Sequence, residues 1–434
     1  MSLAGYCVSR FSIYKSFTII LIGSLALTVN YYTYINDFNG PPIRSDGFGY
    51  YIYLPGLLIH SDPAFRFIDS APSWSALSQY PLDELAWTGL REGVNGYVQK
   101  YPVGVALMQL PFFVVAWLAG GALYADPSGF KPAFQYANIV SGIFYLCAGL
   151  ILLLETLCRM VSVLLAFVLI IFATLGTNLL LYGSYDASFA HVYCFFAGAL
   201  VTWLVFGPRE RLKPAVYYFL LGAAVGLATI VRPTNLIWCL AIFVSPPRDL
   251  RAIAVAALAF AAGLLVLASP QIAYWAIATG QPVTYSYGDE GFNFLAPELA
   301  NYLFSVRKGV FFWHPAYLLL LVAAIWAMAK GCRDALLPIA IFAVASYVNA
   351  SWWAWPFGAR PAVDTLPFLV AGAGMALADW RPSVRAGAIL SIPLALLVVV
   401  NLVQMHGYVV HRIGFDGTTW AEYVAFWNGA LSFL

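Results

Sequence analysis

The chain has 434 residues, of which 62% are hydrophobic and only 10% are charged, whereas a soluble globular domain carries about 45–50% apolar and about 25% charged residues. This excludes a soluble protein with a polar surface, and a formal charge of +2 excludes a nucleic-acid binder driven by net charge. Apolar runs of about twenty residues, the length that crosses a bilayer, recur from Ser16 to Met405. The expectation is therefore one all-α polytopic membrane domain over residues 1–434.

Arg10 and Lys15 precede an apolar stretch from Phe17 to Val29, which runs on into Tyr31, Tyr32 and Tyr34 without a small-x-small cleavage site. It reads as a retained signal anchor that starts on the inner side and ends in an aromatic belt. The first outer loop then extends from about Asn36 to Ala133. Its apolar run from Pro102 to Leu118 would put Arg159 on the wrong side if counted as a span, so it is expected as an amphipathic or re-entrant helix on the outer face.

Further along, the basic positions fall in short gaps between apolar runs, as cytoplasmic loops should. They are Arg159, the run from Arg209 to Lys213, Arg248 with Arg251, Lys330 with Arg333, and Arg381 with Arg385. Joining them gives about eleven spans, with an outer loop over about 278–309 and an outer tail over about 406–434. The inner side then nets about +7 and the outer side about −5, the sign the positive-inside rule requires. The outer loops hold no cysteine, so no disulfide framework is expected. Small residues crowd the span from Ala252 to Ala268, which suits close helix packing in lipid.

The polar residues hardest to explain as solvated surface all fall in outer segments. Asp46 is followed by Gly47 and Gly49, which permit close backbone approach to a ligand, and by Tyr50, Tyr51 and Tyr53 with flat apolar faces and hydroxyl tips. Lys100-Tyr101-Pro102 opens the apolar run of the first outer loop, and Arg232-Pro233-Thr234 is squeezed between two short apolar runs. The loop from Gly280 to Gly309 carries Asp289-Glu290 and then Arg307-Lys308, just before His314. Trp352, Trp353 and Trp355 precede Arg360, forming either a sugar-stacking and cation–π platform or an interfacial anchor. No span has an ionisable residue near its middle, which argues against an ion-coupled carrier. The histidines show no ligand-like spacing, so nothing indicates a divalent metal and no cofactor is expected.

With these motifs in this order on one side, the chain resembles the GT-C class of polyprenyl-phosphate-sugar-dependent glycosyltransferases, near the dolichyl-phosphate mannosyltransferase-like and lipid A aminoarabinose transferase families. The matching patterns are Asp46 to Tyr51, Lys100 to Pro102, Arg232 to Thr234, Arg307 to Gly309 and Trp352 to Arg360, with Phe189 to Tyr193 a looser match. The resemblance runs to about Leu377 and implies a GT-C-like fold with juxtamembrane helices in the first outer loop. It implies Asp46 as catalytic base, and Lys100, Arg232, Arg307, Lys308 and Arg360 around the donor phosphate. Tyr50, Tyr51, His191, Asp289, His314, Trp352 and Trp353 would then meet sugar or acceptor. The chain departs from the class where Asp46 is followed by Gly rather than Glu, the pair Asp83-Glu84 coming much later. It also lacks the metal motif of the oligosaccharyltransferases.

The expected activity is transfer of one sugar, with inversion, from a polyprenyl-phosphate carrier to a hydroxyl of a glycan, lipid or protein acceptor at the periplasmic face of a bacterial inner membrane. The rivals are a carrier or flippase for a lipid-linked sugar, and a non-catalytic assembly subunit.

Overall fold

The computed structural model describes residues 3–35, 41–70, 89–93, 96–120, 129–207, 211–244, 246–352, 356–380 and 383–431, and these are mostly helical. Among the described residues, six stretches are helical, long and apolar enough to cross a bilayer: Phe11–Thr33, Pro132–Leu157, Pro214–Val231, Leu250–Thr279, Arg333–Ala350 and Ile389–Val409. Five further apolar helices are shorter: Gly104–Ala119, Val163–Leu175, Ala190–Phe206, Pro233–Phe243 and Ala316–Ala329. An α-helix of seventeen residues reaches about 26 Å, just under the roughly 30 Å hydrocarbon core.

The shortness has local causes. Gly176 ends the Val163–Leu175 helix before a separate turn at Leu179–Gly183. Pro315 follows the Val310–Trp313 turn and precedes the Ala316–Ala329 helix. Arg232 leaves the Pro214–Val231 helix at φ −152°, ψ 114°, the extended conformation that a following proline enforces.

Elsewhere the ends follow capping chemistry. Pro132 and Pro214 open their helices, where a missing N–H costs nothing. The Asp249 carboxylate accepts from Ala252 N at 2.9 Å, and Gly280, at φ 76°, closes the same helix in the left-handed region. The expectation of close packing around Ala252–Ala268 holds: a Cβ on Gly222 would run into the Phe260 carbonyl and one on Gly263 into the Phe219 carbonyl, so those two helices lie backbone to backbone.

The Leu250–Thr279 helix is only 17% buried in its most apolar window and the Phe11–Thr33 stretch only 22%. Leu258, Leu265 and Val266 stand exposed on the former, an arrangement stable in hydrocarbon and costly in water.

The stretch expected as the first outer loop is helical with one added element. The Gly104–Gly120 helix, expected as amphipathic or re-entrant, is apolar on all faces, with Val115 and Leu118 exposed. It packs on the first half of the Pro132–Leu157 helix through Phe113–Phe134 at 5.0 Å, Phe112–Phe144 at 5.5 Å and the Tyr145 hydroxyl on Met108 O at 2.9 Å. A two-stranded antiparallel hairpin, Leu90–Gly93 with Gly96–Gln99, precedes it and pairs Leu90 with Gln99. This small sheet is an addition to the all-α expectation. Asp37, Asp83 and Glu84 lie outside the described residues.

The basic loops gather at one end of the bundle. Leu212 and Arg251 line one cavity there, Gly374 meets Leu157 and Met160, and Ala327, Ala335 and Ala376 form one cluster. The Leu366–Ala376 helix runs from that end to Thr365, beside the residues that build the site. Arg209, Glu210 and Arg381 lie outside the described residues.

Candidate functional site

Asp46 sits in the first turn of the short helix Ser45–Tyr51. Gly47, next to it, has no room for a side chain, because a Cβ there would collide with Ser188. That close approach lodges Asp46 against the segment leading into the Ala190–Phe206 helix. The Tyr101 hydroxyl donates to Asp46 Oδ1 at 2.6 Å, and Arg360 Nη2 lies 2.8 Å from Oδ2. Burial works to raise the Asp46 pKa, but the Arg360 guanidinium, the Tyr101 hydroxyl and Lys100 outweigh it and hold the carboxyl below its ordinary value.

Arg360 opens a 3-10 turn, Arg360–Thr365, entered through Gly358 and Ala359 at φ 61° and 49°. His314 is packed directly beneath Gly358, where a Cβ would collide with the imidazole ring. The histidine is fully buried and bonded to Asn401 Oδ1 at 2.7 Å. It therefore supports the turn that presents Arg360 instead of meeting a ligand itself.

The same turn carries Asp364, which is buried. Its Oδ2 lies 2.8 Å from Arg232 Nη1 and its Oδ1 3.2 Å from His191 Nδ1. Arg232 Nη2 also donates to Asn349 Oδ1 at 3.2 Å. Arg232, Arg360 and Asn349 line a cavity of about 350 Å³ whose other walls include Trp275, Tyr287 and Trp352. Two guanidinium groups in an aromatic chamber suit an anion attached to a ring or chain with apolar faces.

Lys100 neighbours two of the cavity-lining residues, its carbonyl accepting from Ser286 Oγ at 2.8 Å. Its ammonium lies 5.6 Å from the Tyr287 ring centre and 2.9 Å from Glu290, which Arg91 also holds at 2.9 Å. The cavity wall over Val283–Tyr287 is thus tied by Glu290 to the Leu90–Gln99 hairpin.

Of the remaining expected residues, Tyr50 packs on Tyr101 with centroids 4.6 Å apart, one shell behind Asp46. Tyr51 is buried and donates to Gly129 O at 2.6 Å, a structural bond. His191 serves Asp364, and Asp289 is exposed while its neighbour Glu290 takes the contacts. Trp353 lies outside the described residues.

Arg307 and Lys308 are not brought to the cavity. Arg307 Nη2 pairs with Asp416 at 2.8 Å, and Lys308 donates to Gly414 O and to Thr418 Oγ1, each at 2.8 Å, with its ammonium 4.6 Å from the Trp313 ring. These two cations, expected beside Arg232 and Arg360, instead pin the segment before the Trp420–Leu431 helix.

No family model matches this chain, and no curated protein or solved structure matches it either.

Sequence reasoning missed Asp364, Asn349, Tyr101 as the partner of Asp46, and the buried pair Arg44–Asp186 at 2.8 Å. A signal existed for Asp364: it is an acid four positions after Arg360, flanked by Ala362-Val363 and Leu366, where a lone carboxylate needs a cation. Among the described residues, no group of three or more His, Cys, Asp or Glu is placed to hold a metal ion.

Proposed function

We propose that this chain is a membrane glycosyltransferase that moves one sugar, with inversion, from a polyprenyl-phosphate donor to a hydroxyl of a glycan, lipid or protein acceptor. One observation carries the reading: the Arg360 guanidinium both lines the cavity and bonds Asp46 at 2.8 Å, so an anion subsite and an ionised carboxylate share one cation. The donor phosphate sits between Arg232 and Arg360, with Lys100 beside the cavity wall and the sugar against Tyr287 and Trp352. Asp46 accepts the proton of the acceptor hydroxyl as its oxygen attacks the anomeric carbon. The carbon–oxygen bond to phosphate breaks, and polyprenyl phosphate leaves as a stable anion, so no strong acid is needed.

The proposed topology has about eleven spans, with the N-terminus in the cytoplasm of a bacterial inner membrane and the cavity on the periplasmic side; the sorting of basic residues into alternate loops of the sequence supports this orientation. The test is a mass-spectrometric comparison of envelope glycans in cells with and without the chain. Loss of a defined sugar substituent, with its polyprenyl-phosphate donor accumulating, is expected; unchanged envelope glycans would contradict the proposal. An Asp46→Asn variant that still restores the substituent would favour a carrier for the lipid-linked sugar.

A further inference from the structure

An arginine at the end of a helix is long and loosely held, and it recognises an anion well only if its guanidinium is fixed in advance. Arg232 is such a residue: its N–H caps the helix on Ala228 O at 2.9 Å and its carbonyl accepts from Asn235 N at 2.9 Å, so its backbone is held, but these bonds leave the long side chain unrestrained. Two side chains supply the missing restraint. Asp364, 3% exposed, takes Nη1 at 2.8 Å, and Asn349 takes Nη2 at 3.2 Å. Asn349 is itself oriented, because its amide nitrogen donates to Ala345 O at 2.7 Å and so turns its oxygen toward Arg232. His191 holds the other oxygen of Asp364.

A carboxylate beside an anion subsite is unfavourable on charge alone. Asp364 and Arg360 also share one short turn, stiffened by Pro361 and followed by Pro367. That turn therefore supplies one cavity arginine directly and braces the other.

We propose that Asp364 is a positioning residue for donor recognition, one that fixes the Arg232 guanidinium on the cavity wall, with Asn349 as its second brace. The proposal rests on the donor site proposed above. It makes a prediction of sign: removing the Asp364 charge weakens anion binding, although simple electrostatics would have it strengthen.

The experiment measures affinity of the purified full-length protein for a short-chain polyprenyl phosphate and for the matching polyprenol without phosphate. Wild type is expected to prefer the phosphate. Asp364→Asn should lose about tenfold in phosphate affinity, as when one charge-assisted bond is lost, while its affinity for polyprenol stays within about twofold. Asn349→Leu, which changes no charge, should reduce the same preference and gives an independent answer if the first variant folds poorly. Equal or tighter phosphate binding by both variants overturns the inference, as does parallel loss of polyprenol affinity, which marks a merely structural role. A wild type with no preference for the phosphate overturns the proposed donor site and this inference with it.

Discussion

Arg360 Nη2 lies 2.8 Å from Asp46 Oδ2 across more than three hundred residues of sequence, and the same guanidinium forms part of the cavity wall. With the donor site proposed above, the carboxylate and an incoming phosphate would compete for one cation. Asp46→Asn removes the competitor, so polyprenyl-phosphate affinity should rise by about tenfold, the value of a charge-assisted bond of roughly 1.5 kcal/mol. In an Arg360→Ala background the same Asp46 substitution should change affinity by less than about twofold, because the contested partner is gone. Equilibrium binding across the four proteins measures the coupling, and independent effects of the two substitutions would contradict a shared cation.

The depressed pKa of Asp46 fixes a second expectation. A carboxylate whose folded pKa lies below its ordinary value of 3.8 adds stability that is present above that value and is lost as pH falls through the folded pKa. The difference in thermal midpoint between wild type and Asp46→Asn should stay constant from pH 5 to neutrality and shrink in more acidic buffer. A difference that shrinks near pH 6 instead would mean that burial, not Arg360, governs the group.

How legible the site was depends on which contacts are local. Asp46 stood out because Gly47 and Gly49 beside an acid imply a tight approach, and Arg232 and Arg360 because lone arginines among apolar residues are costly without a partner. The pairings were not legible: the Lys100-Tyr101-Pro102 motif does not say that Tyr101 meets Asp46, and the isolated Asp364 signals a need for a cation without saying that Arg232 supplies it through tertiary packing. Arg307-Lys308 misled for the converse reason, since a basic pair at a span end looks the same in sequence whether it faces a ligand or a carboxylate such as Asp416. The apolar runs indicated the helical membrane class, but not that helices break at Gly176 and Pro315 or that the short run Pro233–Phe243 winds as a 3-10 segment.

Because Arg307 and Lys308 hold the tail segment and not the cavity, Arg307→Ala should leave polyprenyl-phosphate affinity within about twofold of wild type while lowering thermal stability. For Lys308, burial pushes the pKa down from 10.5 to about 8, against the pull of Asp416 and Glu422. Between those values the unfolded state binds more protons than the folded one, so stability rises with pH. The thermal midpoint of wild type minus that of Lys308→Met should therefore grow from pH 8 to pH 10, and a flat difference would show that the ammonium is solvated.

The two ends of the bundle should face opposite compartments. Asp289 and Arg211 are both exposed, and each lies in a loop assigned to a different side. Single cysteines at these positions, in a background without native cysteines, should react with an impermeant thiol reagent from opposite faces of sealed vesicles. Labelling of both from the same face would end the proposed topology.

The most direct test of the central claim is transfer of labelled sugar from a polyprenyl-phosphate donor to acceptor by purified wild-type and Asp46→Asn proteins, compared at matched folding and saturating donor. Asn is nearly isosteric with Asp but cannot take the acceptor proton. Turnover should therefore fall by the roughly 10²–10⁴-fold that a general base contributes, while donor binding persists. Turnover in Asp46→Asn equal to that of wild type would contradict the assignment and place the chemistry away from the Asp46–Arg360 pair.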